Sequence, residues 1–225
     1  MYSGVTTATL TITGTTILLN NSLYRCLLSN ATCTSPTSSN GALLTVRQLP
    51  TVTLIASPLT SLLPGQTTTL TATPSASFGG VLSTTWVHGS NVITNTGNTR
   101  LVNVDSVGTY QIFIQETFAS PTLVCSNQSS IVTINAVTSN KLFIFSSPND
   151  GRFTVSYYNN GGATTKRKIA IFDSKGAVAY NREFSITGPY TLLNINMENA
   201  SRGIYYVVVG DASGGKLADG KVHIR

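Results

Sequence analysis

Residues 105–116 read Asp-Ser-Val-Gly-Thr-Tyr-Gln-Ile-Phe-Ile-Gln-Glu. A polar turn containing Gly108 leads into a run whose apolar and polar side chains alternate, and this two-residue period is that of a β-strand. Similar runs recur with turn signals about every eight to twelve residues, which is typical of a β-sandwich. Helical periodicity is almost absent, apart from a candidate helical turn near Met197–Ala200. The sequence therefore predicts an all-β protein. The predicted strands are Thr9–Thr13, Leu43–Val46, Thr51–Ala56, Thr67–Thr73, Leu82–Val87, Tyr110–Gln115, Ser130–Ile134, Phe153–Tyr157, Lys168–Phe172 and Ile204–Val209.

The composition agrees with the all-β class, and the distribution of charge separates two parts of the chain. Hydrophobic residues make up 41% and charged residues only 10%, and the Thr, Asn and Gly that replace charge suit strands and turns. Residues 1–140 hold three basic and two acidic residues, a net charge of +1, whereas residues 141–225 hold eleven and six, a net charge of +5. The basic cluster at residues 166–168 has no nucleic-acid motif around it. We expect no nucleic-acid partner, and a domain boundary near residue 140.

The cysteines and histidines limit metal chemistry. Cys26 and Cys33 flank a short polar loop and are placed to close a hairpin disulfide in an oxidising compartment, whereas Cys125 has no evident partner in the sequence. The chain lacks a CxxC pair and has two histidines, His88 and His223. We therefore expect no metal site and no cofactor.

Two segments of the chain share one pattern. Residues 22–46 and residues 108–134 each contain a Tyr two residues before a buried-type position, then a polar loop and a closing apolar strand. The pattern resembles the last two strands of an immunoglobulin-like (Ig-like) sandwich. In the domain that the second segment closes, the single tryptophan, Trp86, stands where such sandwiches place a core Trp, and the turn before Tyr110 resembles a tyrosine corner.

The resemblance implies one complete and one incomplete Ig-like unit. We expect an Ig-like β-sandwich at residues 50–137, in which Ala72 and Ile112 stand where antibody-type domains have the inter-sheet disulfide. Residues 1–47 resemble the C-terminal half of an Ig-like repeat common in secreted Bacteroidetes proteins. Half a sandwich leaves unpaired edges and an uncovered apolar face, so we expect upstream sequence to be missing.

Four elements follow one another in residues 141–225. Residues 145–153 read Phe-Ser-Ser-Pro-Asn-Asp-Gly-Arg-Phe, residues 169–176 end in Asp-Ser-Lys-Gly, residues 201–209 contain Gly-Ile-Tyr, and the chain ends in Gly-Lys-Val-His-Ile-Arg. Their order and spacing resemble the type A C-terminal sorting domain of type IX secretion substrates. The departure is Ser146-Ser147, where the family has Pro-Asn. The matching residues are Pro148, Asn149, Gly151, Asp173, Gly176, Gly203, Tyr205 and Lys221.

This resemblance implies a third, small β-sandwich at residues 141–225 and a function in export. It implies recognition by the type IX secretion machinery, passage through the periplasm and outer membrane, and a secreted or cell-surface protein. It also implies removal of the domain or its retention, as the cargo is attached to surface lipopolysaccharide. The start Met-Tyr-Ser-Gly-Val-Thr has no signal peptide, so we expect a fragment of a longer protein. No apolar run is long enough for a transmembrane helix.

The residues give no indication of an enzyme. Catalysis needs a nucleophile, base or metal held together, and neither histidine has an evident carboxylate partner. Two functions stay open. In the first, the Ig-like modules are spacers or adhesion modules carried by the sorting tail. In the second, the Ig-like domain binds a carbohydrate or protein, with Phe78 and Phe118 in presumed loops as candidate aromatic contacts, and the tail is its export tag. A third, more distant option is the end of a larger extracellular hydrolase, whose catalytic domain would lie upstream.

Overall fold

The computed structural model describes residues 1–32, 35–94, 97–159 and 164–225. Within them nearly all regular structure is β-strand, which confirms the all-β class. No helix in these ranges has the length and apolarity to cross a membrane. Two compact units are present, one formed by Met1–Val52, Pro74–Thr85 and Phe113–Ser129, and the other by Thr53–Thr73, Trp86–Ile112 and Ser130–Arg225. The domain boundaries at residues 47, 50, 137 and 141 stay predictions.

Residues 1–47 form short strands that pair two by two. β1 pairs with β2, β3 with β6 and β4 with β5. No described residue between 1 and 49 is buried. The elements are β1 (Tyr2–Ser3), β2 (Thr11–Ile12), a 3₁₀ turn (Ile17–Leu19), β3 (Ser22–Tyr24), β4 (Leu27–Leu28), β5 (Thr37–Ser38) and β6 (Ala42–Leu44). Cys33 lies outside the described residues, so the disulfide between Cys26 and Cys33 stays a prediction.

The strands between residues 52 and 136 form two sheets. One has the order β12–β9–β7, and the other has the order β11–β10–β13–β15–β8 with β14 also on β13. A 3₁₀ turn at Val104–Ser106 precedes β13. The strands are β7 (Val52–Ser57), β8 (Ser61–Leu62), β9 (Thr67–Pro74), β10 (Val81–His88), β11 (Asn91–Ile93), β12 (Thr99–Asn103), β13 (Gly108–Ala119), β14 (Thr122–Gln128) and β15 (Val132–Ala136).

The core of this sandwich contains both of its predicted marker residues. Trp86 is 1% exposed, and its indole Nε1 donates to the Gly97 carbonyl at 3.1 Å. Tyr110 is fully buried, and its hydroxyl donates to the Ser106 carbonyl four residues upstream. This bond is the one that defines a tyrosine corner. It ties the start of β13 to the turn before it.

The strands between residues 143 and 224 form two further sheets. One has the order β16–β17–β20 and the other has the order β19–β18–β21–β22. Their alternate apolar residues form one buried cluster, which includes Phe153, Ile171, Val207 and Val222. The strands are β16 (Phe143–Phe145), β17 (Arg152–Ser156), β18 (Thr165–Phe172), β19 (Val178–Ile186), β20 (Leu193–Asn196), β21 (Gly203–Gly210) and β22 (Lys216–Ile224). The helical turn expected near Met197–Ala200 is instead a hydrogen-bonded turn, in which Ala200 N donates to the Met197 carbonyl.

A second tyrosine corner lies in this C-terminal part. The Tyr205 hydroxyl donates to the Ser201 carbonyl at 2.7 Å, again four residues upstream. Tyr205 is 6% exposed, so its hydroxyl is satisfied by the chain itself. The sequences Gly108-Thr-Tyr110 and Gly203-Ile-Tyr205 therefore build the same local structure in two different sheets.

A buried carboxylate organises the first unit. Glu116 has no solvent exposure. Its Oε1 accepts hydrogen bonds from Ser77 Oγ (2.8 Å), Phe78 N (2.7 Å) and Gly80 N (2.8 Å). Burial alone would raise the pKa of Glu116, but the hydrogen bonds from Gly80, Ser77 and Phe78 and the charge of Arg47 hold the pKa below its ordinary value. The Arg47 guanidinium lies 4.5 Å from the centre of the buried Phe118 ring.

We predict that Tyr205→Phe lowers the free energy of unfolding by about 1 kcal/mol, because the Ser201 carbonyl loses its donor. The neighbouring change Tyr206→Phe is the control, since Tyr206 is 42% exposed and water replaces its bonds. Urea unfolding, followed by circular dichroism, measures both. Equal stability of the two variants would contradict the role given to the corner.

We predict that Glu116→Gln removes part of the acid sensitivity of the fold. Since the folded pKa of Glu116 is depressed, its ionised form stabilises the fold above the unfolded value, ordinarily 4.5, and this stabilisation is lost as pH falls through the folded pKa. The wild type should therefore lose stability on acidification more steeply than Glu116→Gln. Urea unfolding midpoints, measured from neutral pH to below pH 4.5, test this prediction, and Glu183→Gln, at an exposed position, is the control. An equal loss of stability on acidification in wild type and Glu116→Gln would contradict it.

Candidate functional site

The first predicted motif is a turn held by its own asparagine. Asn149 is 9% exposed. Its Oδ1 accepts from Gly151 N at 2.7 Å, and its Nδ2 donates to the Ser146 carbonyl. Gly151 has φ of +99°, and a Cβ there would lie 2.6 Å from the Met197 carbonyl oxygen. Only glycine fits that position.

The same turn is joined to the last strand of the chain. Asn149 N donates to the His223 carbonyl at 3.0 Å, and Arg225 N donates to the Asn149 carbonyl at 2.9 Å. His223 N donates to Ser147 Oγ at 3.2 Å. The serine that departs from the family pattern therefore contributes to this junction. The backbone bonds depend on strand geometry and not on the identity of the side chain at 147.

The second motif is a hairpin loop between β18 and β19. Asp173 Oδ1 accepts from Lys175 N at 2.8 Å and from Ala177 N at 2.9 Å. Gly176 has φ of +86°, a conformation that glycine adopts without strain. The sequence Asp173-Ser-Lys-Gly176 therefore forms a turn that the Asp173 side chain holds closed.

The four motifs converge on one end of the four-stranded sheet, which we name the motif end. Phe172, at the end of β18 just before Asp173, pairs with Tyr206 on β21. Gly203, at the start of β21, pairs with Ile224 at the end of β22, and Ile224 bridges to Asn149. Residues separated by up to 75 positions in sequence are thus neighbours across adjacent strands.

An exposed face adjoins the motif end, and we name it the outer face. It consists of the four outward residues of β21 and β22 that lie nearest the motif end, namely Ile204, Tyr206, Lys221 and His223. Tyr206 pairs with Lys221, whose Nζ lies 5.3 Å from the Tyr206 ring centre, and Ile204 pairs with His223. Ile204 is 52% and Tyr206 42% exposed. An exposed apolar and aromatic surface flanked by positive charge is a feature of binding sites.

The basic cluster at residues 166–168 is divided between the two faces of β18. Lys166 Nζ bonds the Glu183 carboxylate at 2.6 Å, and this hydrogen bond raises the pKa of Lys166. Arg167 is half-buried and donates to Asn159 Oδ1 at 3.2 Å. The three cations therefore do not form one continuous patch.

The histidines lie in surroundings that give them structural roles. His88 is half-buried, stacks on Tyr110 with ring centres 4.4 Å apart, and has its Nε2 3.1 Å from the Val107 carbonyl. His223 is exposed on β22. Within the described ranges, no three His, Cys, Asp or Glu side chains come together as a metal site.

The sequence analysis missed Glu116 and misplaced Phe118. Phe118 was expected in a loop, but β13 continues to Ala119 and Phe118 is 2% exposed. The alternation that buries Ile112 and Ile114 also buries Glu116 and Phe118. The two-residue alternation of β13 continues to residue 118, and this continuation is the sequence signal for the burial of both Glu116 and Phe118.

Comparisons with known proteins bear on the C-terminal part. A family model described as "Secretion system C-terminal sorting domain" matches residues 143–222, and no curated protein matches the chain.

Solved structures with a similar arrangement of strands have low identity. The FN1–FN3 domains of chicken CNTN1 are 12% identical, with 92% of this chain and 78% of that chain covered and a TM-score of 0.29. The fibronectin(III)-like modules of Clostridium thermocellum CbhA are 13% identical (77% and 93% covered, TM-score 0.28). The Bacteroides ovatus glucan-locus protein SGBP-B is 15% identical (80% and 48% covered, TM-score 0.28). At these identities and TM-scores, the solved structures say nothing about the ligand or activity of this chain.

The family match spans the first three motifs and the start of the fourth, up to Val222. Domains of this family mark proteins that the type IX secretion machinery exports. Residues 143–222 therefore form a C-terminal sorting domain of type IX secretion, and the protein is one that is secreted or displayed at the cell surface.

Proposed function

We propose that the sorting domain is recognised as a folded surface, through the outer face and the motif end, while the Ig-like residues act as spacer or adhesion modules without enzymatic activity. The observation that carries this proposal is the convergence of the four motifs on one end of the sheet. Their motif residues are used in turns and corners, as Asn149 and Tyr205 illustrate. The outer face leaves Ile204 and Tyr206 exposed and therefore available to a partner.

Surface attachment is the second part of the proposal. After export the protein is joined to surface lipopolysaccharide, or the domain is removed, as in the family that the C-terminal part resembles. The net charge of +5 on residues 141–225 supports contact with an anionic envelope. Ion pairs engage Arg152, Lys166 and Lys216, whereas Lys221 faces Tyr206.

A carbohydrate- or protein-binding role for the Ig-like sandwich is the alternative, including one within a larger extracellular hydrolase. Binding sandwiches display aromatic side chains on loops or on one sheet face. Phe118 does not qualify, because it is buried beneath the Arg47 guanidinium. Phe78 is half-buried, and its loop is fixed by the Glu116 carboxylate. These contacts favour a spacer function for the Ig-like residues over a binding function.

We predict that changing the outer face blocks export without unfolding the domain. A reporter joined to the N-terminus of the full chain should reach the surface of a type IX-competent host. The double change Tyr206→Ser with Lys221→Glu should lower surface reporter by about tenfold or more, as expected when an interface loses an aromatic anchor. Surface proteolysis and fractionation measure the distribution.

The matched control is Leu101→Ser with Lys141→Glu, because Leu101 is 66% exposed on β12 and the exposed Lys141 lies before β16, outside the motif end and the outer face. This control should export normally. Unchanged export of the outer-face variant, with its urea midpoint preserved, would contradict the proposed surface. Unchanged export after deletion of residues 138–225 would contradict the sorting function itself.

We predict that the full chain shows no saturable binding on a glycan array, because Phe113, 43% exposed on β13, is the one exposed aromatic side chain among the described residues of 50–137 and forms no multi-ring platform. The measurement compares wild type with Phe78→Ala. Saturable binding that Phe78→Ala abolishes would establish the binding module and overturn the spacer.

A further inference from the structure

Strand β16 of the sorting domain is apolar on both of its faces. Ile144 pairs with the buried Val155 and packs against the core of the domain. Phe143 and Phe145 alternate with Ile144 and therefore face outward, yet both are half-buried. Ser156, the partner of Phe143, faces the same way and has no exposed surface. Outward residues of a sandwich are ordinarily polar and solvated, so another part of the chain covers this side.

The Ig-like sandwich (β7–β15) supplies the cover for Phe145. A Cβ added at Gly65, in the turn between β8 and β9, would lie 3.3 Å from Phe145 Cε1, which is tighter than ordinary van der Waals contact. The glycine therefore lets the turn approach the ring closely. The ranges that hold these two residues, Thr53–Thr73 and Ser130–Arg225, belong to one compact unit.

A second contact holds the chain that joins the two parts, which we name the connecting segment (residues 137–142). Tyr190, in the loop between β19 and β20, is 1% exposed. Its hydroxyl donates to the Val137 carbonyl at 2.6 Å, and its ring meets Phe143 edge-on with ring centres 5.7 Å apart. Val137 N donates to the Leu62 carbonyl of the sandwich at 2.9 Å. The backbone of Val137 is thus bonded to both parts.

The C-terminal end of the connecting segment is held as well. The Lys141 side chain is exposed, but the Lys141 backbone N–H donates to Ser139 Oγ at 3.1 Å. Leu142 packs against the core of the sorting domain. Proteases act on segments that open locally. Opening the chain after Lys141 requires the release of β16 and of its covered phenylalanines.

The two parts are less closely packed where they meet than a protein core is. A cavity of about 280 Å³ is lined by Gly65 on the sandwich and by Phe145 and Thr154 on the sorting domain. A second cavity, of about 390 Å³, is lined by Asp105 and by residues 187–192. Protein interiors contain few voids larger than a water molecule. The junction therefore has fewer contacts to break than either core has.

We propose that the Ig-like sandwich docks on the β16 side of the sorting domain and shields the connecting segment from hydrolysis, so that the sorting domain is removed only after the two parts separate. An external endoprotease catalyses the step: the peptide C–N bond breaks, the oxygen of water bonds to the carbonyl carbon, and a proton passes to the amine nitrogen. The role in removal rests on the proposed function, whereas the shielding itself does not. The outer face belongs to the other sheet of the domain and is exposed while the two parts are docked.

Trypsin tests the shielding in the full chain, because Lys141 is the one basic residue of the connecting segment. Phe145→Ala should speed cleavage of the Lys141–Leu142 bond by about tenfold or more, since it removes the ring that meets the sandwich. Cleavage after Lys175, which is exposed in the loop between β18 and β19, is the internal reference and should keep its rate. Peptide mass spectrometry at successive times measures both bonds.

The matched control is Phe172→Ala. Phe172 is also half-buried, and it faces outward on the other sheet, where it pairs with the exposed Tyr206. This change should leave the rate of cleavage after Lys141 as in the wild type. Equal acceleration by Phe172→Ala and Phe145→Ala, or no acceleration by Phe145→Ala, would overturn the proposal.

Tyr190→Phe is a milder second variant, because it keeps the ring and removes only the hydrogen bond to the Val137 carbonyl. It should speed cleavage after Lys141 by about fivefold, which corresponds to the loss of one ordinary hydrogen bond. A rate equal to that of the wild type would show that the connecting segment is not held by this contact, and would also overturn the proposal.

Trp86 gives a measurement that needs no protease. It is the single tryptophan and lies in the core of the Ig-like sandwich, so its fluorescence reports the unfolding of that part. Phe145→Ala, a change in the sorting domain, should shift the Trp86 transition to lower urea, because a docked partner stabilises the sandwich. Phe172→Ala should not shift it. An unchanged transition in Phe145→Ala would overturn the docking, whereas only the reporter experiment bears on export.

Discussion

The structure depends on one constraint: a β-strand sends alternate side chains to opposite faces, so a sheet with one apolar face needs a second sheet over it. On β13 the constraint is met for twelve residues, and every second side chain from Tyr110 to Phe118 is buried. The same alternation also buries the charged side chain of Glu116. That burial is tolerated because the loop at residues 77–80 supplies hydrogen bonds to the carboxylate.

The sorting domain meets the same constraint within a shorter chain. Its two sheets bury one apolar cluster, and its motif residues close the ends of the strands. Asn149 is central to this closure, since its backbone bonds both His223 and Arg225 while its side chain shapes the turn. The two ends of the domain sequence are therefore held together, and a truncation of the last strand would also release the first motif.

Much of this fold was predictable from local pattern. The alternation of apolar and polar residues predicts the strands. Single residues with strong positional preferences, such as Trp86 and Tyr110, predict which side chains form the core. The sequence pattern does not predict the burial of Phe118 and Glu116, because the predicted strand Tyr110–Gln115 ends just before the charged Glu116. The partners of Glu116 lie 36 to 39 residues away along the chain, and no local pattern contains them. The pairing of Asn149 with the end of β22 was equally beyond local pattern, because it depends on which strands become neighbours.

Most motif residues of the sorting domain serve its framework, whereas Lys221 is a motif residue that also lies on the outer face. The Asn, Gly and Tyr positions of the motifs serve backbone geometry, as the corner at Tyr205 and the tight approach of Gly151 to Met197 require. The corner at Tyr110 has the same construction outside the residues that match the sorting-domain family, so a Gly-x-Tyr sequence by itself does not identify a sorting domain. What distinguishes the sorting domain is the surface that this framework supports. Tyr206 and Lys221, each adjacent in sequence to a buried residue of the core, are held on the outer face because Tyr205 and Val222 are held inside.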